Sequence, residues 1–257
     1  MKTDRLWLEI QNLALAWGLD MVGAADLTSV KELVCRQGGE EISNYPRAIS
    51  LGLGLSHAII DNLPGRDPTM LASYDNLYVT VNATLDRLAL PLAKHLEREG
   101  YRAFPVPASQ SLPPERLHGL VSHKLAAHLA GLGWIGKNCL LVTPEFGPRV
   151  RLATILTDAP LPAKEIQAET HCGSCRACID ACPVNAFTNR TFDPADDVSL
   201  RFDRKSCLEY TGKYAAKSAH KHSSPSTVCG LCIQACPYGQ KKRVSTGEQQ
   251  SLFDYYN

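Results

Sequence analysis

The chain has 257 residues, of which 44% are hydrophobic and 21% charged, as in an ordinary globular protein. Its 27 Lys and Arg nearly balance 26 Asp and Glu, so no global field favours nucleic acid or an anionic membrane. No apolar run reaches the roughly 18 residues of a membrane span, and acids interrupt the apolar N-terminus, which excludes a signal peptide. A cytoplasmic protein without a membrane partner is therefore expected.

The front part of the chain alternates between helical and strand patterns. Apolar residues from Leu6 to Trp17 recur at helical spacing, and a longer stripe from Leu77 to Leu96 predicts a second helix that Pro91 should kink or split. Strands are expected at DMVGAADL, YPRAISLGLGL, YRAFPVP and VRLATILTD, of which the second fits a central strand. These elements predict a mixed α/β domain.

A third helix is expected from Ser111 onward. His118, His123 and His128 lie along it. Most histidines at such positions are surface residues or hydrogen-bonded structural groups, although any of them has the chemistry for proton transfer at neutral pH.

The stretch AGLGWIGKN places Gly131, Gly133 and Gly136 in a G-x-G-x-x-G pattern. A dinucleotide fingerprint must follow a strand and open a helix, whereas this pattern follows a predicted helix, so we reject a Rossmann site. Two interpretations stay open. The exposed amides together with Lys137 could hold a phosphate, or the segment is a plain turn.

Cysteines dominate the last third of the chain. Cys172, Cys175, Cys178 and Cys182 form a C-x2-C-x2-C-x3-C-P run, a spacing known for bacterial iron–sulfur ligation. Three thiolates two residues apart can surround one face of a cubane from a single loop, while the fourth points to another cluster. Pro183 prevents the loop from continuing as regular structure.

A second, shorter run, C-x2-C-x3-C-P, completes the set near the C-terminus. A full copy would have a cysteine at position 226, where Ser226 stands, and Cys207 upstream can fill the vacancy. Eight cysteines suit two [4Fe–4S] clusters. The crossed pattern of such pairs assigns the first cluster to Cys172, Cys175, Cys178 and Cys236, and the second to Cys182, Cys207, Cys229 and Cys232.

Competing roles for these cysteines fit less well. A tetrahedral zinc site needs two C-x2-C pairs and leaves the third cysteine of the run unused, and disulfides need an oxidising compartment. Cys35 and Cys139 lie outside any ligand spacing and are expected to be buried core thiols. Residues 166–257 lack long apolar stripes and would depend on their metals for folding.

Together, YPRAISLGL, AGLGWIGKN with the following PEFG turn and TILTD strand, CGSCRACIDACP, and Cys207 with CGLCIQACP resemble the family of epoxyqueuosine reductases and reductive dehalogenases. The displaced cysteine at 207 is typical of that family. The resemblance implies a nitroreductase-like corrinoid-binding domain over residues 1–165 and a ferredoxin-like two-cluster domain over residues 166–257. It also implies bound cobalamin, held in part by Gly131, Gly133, Trp134, Ile135, Gly136, Lys137 and Asn138.

Two departures from the family bear on the reaction. Its reductases have an acidic proton donor ahead of the glycine-rich turn, where this chain reads ERLHGLVSHK, so His118 is the nearest candidate donor. They also continue into a helical-repeat region involved in tRNA binding, whereas this chain ends at Asn257. A tRNA substrate is therefore not expected, and a small molecule is expected instead.

Two functions follow as hypotheses. The first is a cobalamin-dependent reductase that receives electrons from a low-potential ferredoxin or flavodoxin. The second is an electron-transfer protein that reduces a corrinoid and has no substrate of its own. The front part of the chain is far longer than a ferredoxin needs, which favours the first function. The absence of an aspartate in ERLHGLVSHK favours the second.

Overall fold

The computed structural model describes residues 2–109, 119–163, 170–215 and 229–240. Up to residue 109 the elements are α1 (Lys2–Ala16), β1 (Met21–Asp26), α2 (Lys31–Gly38), α3 (Glu40–Ser43), β2 (Arg47–Gly54), α4 (His57–Asp61), α5 (Pro68–Arg98) and β3 (Ala103–Val106). After residue 118 they are α6 (His123–Leu129), β4 (Trp134–Ile135), β5 (Leu141–Val142), β6 (Val150–Thr157), α7 (Ala177–Asp180), α8 (Arg204–Ala215) and α9 (Leu231–Gln234). Three short 3-10 turns lie at Thr28–Val30, Leu63–Gly65 and Val198–Leu200.

Four strands form an antiparallel sheet in the order β1-β2-β6-β3. Ile49 of β2 lies opposite Ile155 of β6, and both strands are almost wholly buried. Strands covered on both faces are apolar throughout, because each alternate side chain meets a core. The four strand predictions are confirmed, and β2 is a central strand.

Helices cover both faces of this sheet. Ile49 and Leu51 of β2 point into the larger core, which α1 and α5 complete with Ile10 and Leu85. Ala48, directly before Ile49 in β2, points to the opposite core beneath α2 and α6. The period of two along the strand therefore fills two hydrophobic layers. The prediction of a mixed α/β fold is confirmed.

Two helix boundaries differ from the predictions. α5 begins earlier, at Pro68, because the Asp67 carboxylate accepts hydrogen bonds from the Thr69 amide (2.8 Å) and the Met70 amide (3.2 Å). It continues across Pro91 without a break. α6 begins at His123, after non-helical residues 119–122, so it is not continuous with the predicted start at Ser111, which lies outside the described residues.

In the described part of the cysteine-rich segment, the elements are α7, α8, α9 and an isolated bridge between Phe187 and Phe202, whose rings stack with centroids 5.3 Å apart. The predicted domain boundary at residue 165 falls in a stretch outside the described residues and stays a prediction. Cys35 is exposed on α2, so the prediction that it is buried is wrong, whereas Cys139 is buried as predicted. Over the described ranges, no helix has the length and apolar character needed to cross a membrane.

Candidate metal centre and adjoining cavity

The first cysteine run forms a tight loop. The Cys175 amide donates to the Cys172 carbonyl (2.9 Å), and Gly173 between them has φ +47°, a left-handed conformation that glycine adopts without strain. Cys178 lies on α7. The Cys182 amide donates to the carbonyl of Ile179 at 3.1 Å, which places the fourth thiol beyond the helix end.

The first three thiols and Cys236 form one electrostatic group. Burial raises the pKa of Cys178 to about 11, and the thiols of Cys172 and Cys175 add to that rise. Burial also raises the pKa of Cys236 to about 12, with contributions from Cys178, Cys172 and Cys175. The structure thus brings together the four cysteines that the spacing groups for a first cluster.

The other four predicted ligands, Cys182, Cys207, Cys229 and Cys232, form a second group beside the first. Burial raises the pKa of Cys207 to about 11, followed by contributions from Cys229 and Cys182. Burial raises the pKa of Cys232 as well, with Cys229, Cys207, Cys178 and Cys182 contributing in that order. Cys178 is the link between the groups, so the two sites are adjacent.

The donor chemistry of both groups fits iron–sulfur clusters. All ten cysteines are free thiols, and no three His, Cys, Asp or Glu side chains within the described part of the chain converge closely enough to hold a single metal ion. The Ala186 amide donates to Cys182 Sγ at 3.3 Å, and Arg66 Nη1 lies 3.7 Å from Cys229 Sγ. Thiolates that carry the charge of a cluster are stabilised by such donors.

The glycine-rich turn leads from α6 into a short hairpin formed by β4 and β5, so a helix precedes it, as the rejection of a Rossmann site assumed. Gly133 is required there, because a Cβ atom would lie 2.2 Å from the Val142 carbonyl oxygen. The Trp134 ring lies between His171 and Tyr238, each with its centroid 4.8 Å away. The turn therefore supports the loop that holds the first cysteine group.

Lys137 belongs to the same support. It is 6% exposed, and its ammonium donates to the carbonyls of Gly173 (2.7 Å) and Cys175 (3.2 Å). Asn138 Nδ2 donates to the Cys232 carbonyl at 3.5 Å. Because Lys137 is bound to the cysteine loop, it is not available to bind a phosphate at this turn. The corrinoid role of the seven turn residues stays a prediction.

A cavity of about 750 Å³ lies between the front domain and the cysteine-rich segment. Ile135, Leu140 and Leu141 from the hairpin line one side, and Ile233, next to Cys232, lines another. The cavity therefore reaches the backbone that carries the second cysteine group. Pockets of this size between structural layers are the usual places for large cofactors and ligands.

His123 lines this cavity as a neutral ring. Burial lowers its pKa to about 4. Its Nε2 donates to the Pro107 carbonyl at 3.0 Å, and its Nδ1 accepts from the Thr154 hydroxyl at 2.8 Å. His128 is buried and hydrogen-bonded to the Gly133 carbonyl at 2.9 Å, as expected for a structural histidine. The predicted proton donor His118 lies outside the described residues.

Among the cations that line the cavity are Lys124, Arg151 and Arg201, for which no role was predicted from the sequence. A signal existed for Arg151, since it is the one charge inside the otherwise apolar strand pattern VRLATILT. Lys124 and Arg201 gave no such signal, because isolated basic residues are mostly solvated surface groups.

The family described as the 4Fe-4S double cluster binding domain matches residues 171–239. Among curated proteins, the epoxyqueuosine reductase of Pseudomonas aeruginosa is 32% identical over 202 residues, which cover 72% of this chain and 50% of that protein. The epoxyqueuosine reductase of Vibrio cholerae is 30% identical over 178 residues, covering 67% of this chain and 42% of that protein. The chain thus spans about half the length or less of these relatives.

Solved structures share the fold. A structure described as suggesting a mechanism for B12-dependent reductive dehalogenation aligns with a TM-score of 0.68 at 21% identity, covering 91% of this chain and 32% of that one. An epoxyqueuosine reductase crystallised with an epoxyqueuosine-modified tRNA-Tyr stem loop aligns with a TM-score of 0.56 at 17% identity, covering 93% and 67%.

The expectation that tRNA is not a partner is wrong. It rested on balanced charge and on the missing helical-repeat region, yet the relatives are named as epoxyqueuosine reductases and one neighbour was crystallised with modified tRNA. Net charge reports an average over the whole surface. A local cluster of cations can bind phosphate on a neutral protein, so the inference from net charge was unsound.

Proposed function

We propose, on the premise that the chain belongs to the family of epoxyqueuosine reductases and reductive dehalogenase-like proteins, that it is an iron–sulfur reductase acting on epoxyqueuosine in tRNA. Residues 171–239 are a double [4Fe–4S] cluster domain. The observation that carries the proposal is the pair of adjacent four-thiol groups beside a cavity of about 750 Å³.

In this proposal Cys172, Cys175, Cys178 and Cys236 hold one cluster, and Cys182, Cys207, Cys229 and Cys232 hold the other. The mutual electrostatic influence within each group supports the assignment. A lysine at the loop of the first group and Arg66 at Cys229 offset part of the negative charge of thiolate-bound iron.

Clusters held by the two cysteine groups would carry electrons, with the first group on the side of the electron donor and the second on the side of the cavity. Cys175 of the first group is exposed, which suits contact with a low-potential ferredoxin or flavodoxin. Cys232 of the second group adjoins Ile233 in the cavity wall. The exposure of Cys175 and the position of Ile233 in the cavity wall support this direction.

The cavity is the proposed corrinoid site. Apolar residues such as Leu125, Leu141 and Val150 offer a surface for a macrocycle, with polar groups from α6 beside them. Cobalamin, when bound, would supply reduction chemistry at cobalt. Removal of an epoxide oxygen as water consumes two electrons and two protons. His123 is neutral at pH 7 with both nitrogens engaged, so His118 stays our predicted proton donor.

Metal analysis of anaerobically reconstituted protein tests the cluster assignment. Cys207→Ser should retain about four irons, because a cluster needs four ligands and the first group is intact. Cys35→Ser is the matched control and should retain about eight. Eight irons with unchanged spectra in Cys207→Ser, or zinc in place of iron in the wild type, would contradict the assignment.

Corrinoid binding and turnover test the rest. Wild-type protein should bind cobalamin with a changed visible spectrum and convert epoxyqueuosine in a tRNA stem loop. The alternative, an electron-transfer protein that reduces a corrinoid for another enzyme, is favoured by the absence of an aspartate between residues 111 and 124. Cobalamin reduction without any conversion of the stem loop would support that alternative.

A further inference from the structure

Two basic side chains of the cavity wall are held only by neutral groups. Lys124 Nζ donates to the Cys139 carbonyl at 2.6 Å. Arg151 Nε donates to Asn82 Oδ1 at 3.0 Å, and its guanidinium lies 4.0 Å from the centroid of the Tyr78 ring. Neither forms an ion pair with a carboxylate among the described residues.

Arg201 lines the same wall, as do Arg36 and Arg204, and it is 5% exposed. Its Nη1 lies 3.6 Å from Cys139 Sγ, and its guanidinium lies 4.9 Å from the centroid of the Phe192 ring. Its Nε is buried without a hydrogen-bond partner. The desolvated Nε donor costs stability until an acceptor reaches it.

The three cations share one electrostatic neighbourhood. Burial lowers the pKa of Lys124, and the like charges of Arg201, Arg204 and Arg151 lower it further. The acids of the same wall have partners other than these three cations, and the pKa of Asp197 is lowered by hydrogen bonds from Ser199 and by the charges of Arg204 and Arg36. Asp196 pairs with Arg190 at 2.8 Å, and the Asp197 carboxylate accepts from the Ser199 amide at 2.8 Å.

We propose that Lys124, Arg151 and Arg201 form a phosphate-binding site on the wall of the cavity, and that its ligand is a phosphodiester. Planar guanidinium groups bind phosphate oxygens through paired hydrogen bonds, and the ammonium adds a compact third charge. The aromatic rings and the carbonyl hold the three groups in place before the ligand arrives, which reduces the ordering cost of binding.

The identity of the ligand rests on the proposed function, although the existence of the site does not. Two sources of a phosphodiester are compatible with that function. One is the nucleotide loop of cobalamin, and the other is the RNA backbone beside the modified nucleoside.

Inorganic pyrophosphate tests the site itself. The full chain with its clusters is titrated anaerobically by calorimetry at constant ionic strength. Wild type should bind, and Lys124→Gln and Arg201→Gln should each bind about tenfold more weakly, because each removes a charge-assisted hydrogen bond. Lys124→Arg keeps the charge and should stay close to wild type. Lys94→Gln and Arg5→Gln, exposed residues paired with Glu97 and Glu9, are the matched controls.

The thermal midpoint is a second measurement. If Lys124 had a purely structural role, its substitution would lower this midpoint. Without ligand, Lys124→Gln should raise the thermal midpoint, because it removes like-charge repulsion in the empty site. Wild type that does not bind pyrophosphate, or cavity variants that bind as the controls do, would overturn the site. If Arg201→Gln does not fold, pyrophosphate binding by Lys124→Gln alone tests the site.

Three ligands then separate the sources. If the phosphate is that of the corrinoid, the variants weaken cobalamin binding and leave cobinamide, which lacks the nucleotide loop, unchanged. If it is that of RNA, they weaken stem-loop binding and leave both corrinoids unchanged. Pyrophosphate binding that depends on Lys124 and Arg201, in a protein that binds no corrinoid and no stem loop, would reject the proposed function and keep the site.

Discussion

Lys137 shows how one side chain acquires a role from its surroundings. Its position in a glycine-rich turn suggested a phosphate ligand, yet the fold encloses its ammonium against the first cysteine loop. The donor group is the same in both cases. Its acceptors differ, since the carbonyls of Gly173 and Cys175 take the place of an external anion.

Substitution Lys137→Gln should lower the reduction potential of the first cluster. A positive charge stabilises the reduced, more negative cluster, so its loss should shift the potential down by on the order of 50 mV or more. Redox titration followed by electron paramagnetic resonance measures the shift. Lys94→Gln, distant and exposed, should not move it, and an equal potential in both variants would argue against the electrostatic role.

His123 should make stability depend on pH. Its folded pKa of about 4 lies below the ordinary 6.5, so the unfolded chain binds a proton that the folded chain excludes. The unfolding free energy therefore falls as the pH drops from 6.5 towards 4, by up to about 2 kcal/mol between pH 7.5 and 5.0.

The contribution of His123 is isolated by comparison with His123→Gln, whose side chain can still donate and accept but does not titrate. Urea unfolding at the two pH values should show a smaller loss for the variant. Cluster loss in acid affects both proteins alike, so the difference between them reports the histidine. If wild type and variant lost equal unfolding free energy, the pKa of His123 would be close to the ordinary value.

At the scale of elements, two glycine backbones join the front domain to the cysteine-rich segment. Gly147, after β5, has φ +55°, and Gly239, after Cys236, has φ +77°. A Cβ on Gly239 would lie 2.0 Å from the Phe146 carbonyl oxygen, and one on Gly147 would lie 1.9 Å from that of Tyr238. The two loops touch through their backbones, which only glycine allows.

Gly239→Ala should therefore destabilise the protein and reduce its iron content, because the added methyl collides with backbone and the residue is in the left-handed region. Gly212→Ala is the matched control. It lies in α8 with no atom within 4 Å of the new methyl group, so it should be neutral or stabilise by about 0.5 to 1 kcal/mol. Thermal unfolding and iron analysis of both variants should give opposite signs, and similar effects would contradict the proposed close approach.

At the scale of the whole molecule, the cluster segment and the front domain are interdependent. The fully buried Arg149 pairs with Asp61 at 2.6 Å and donates to the Gln234 carbonyl at 3.4 Å. Gly230 packs against Leu63 and Tyr74 so closely that a Cβ would lie 2.5 Å from Leu63. The segment has little core of its own, so its folding depends on these contacts and on its metals.

Iron removal should loosen the two parts unequally. Hydrogen exchange after anaerobic chelation should increase strongly at residues 170–187 and at the β4 turn, whose partners are the cysteine loops. Exchange in β2 and β6 should change little, because that sheet is buried between two helical layers. Equal loss of protection in both regions would show that the front domain also folds only with iron.

Alternation of apolar residues is a local property, so the sequence by itself determined the α/β class and four strands. The spacing of cysteines is local as well, and the ligand sets that it assigns to two clusters stay a prediction. Helix ends depended on one cap, Asp67, and on tertiary contacts, so α5 and α6 began elsewhere than predicted. The partners of a charge are set by folding. The tertiary structure therefore decided that Lys137 faces the cysteine loop and that Lys124, Arg151 and Arg201, scattered along the chain, share one cavity.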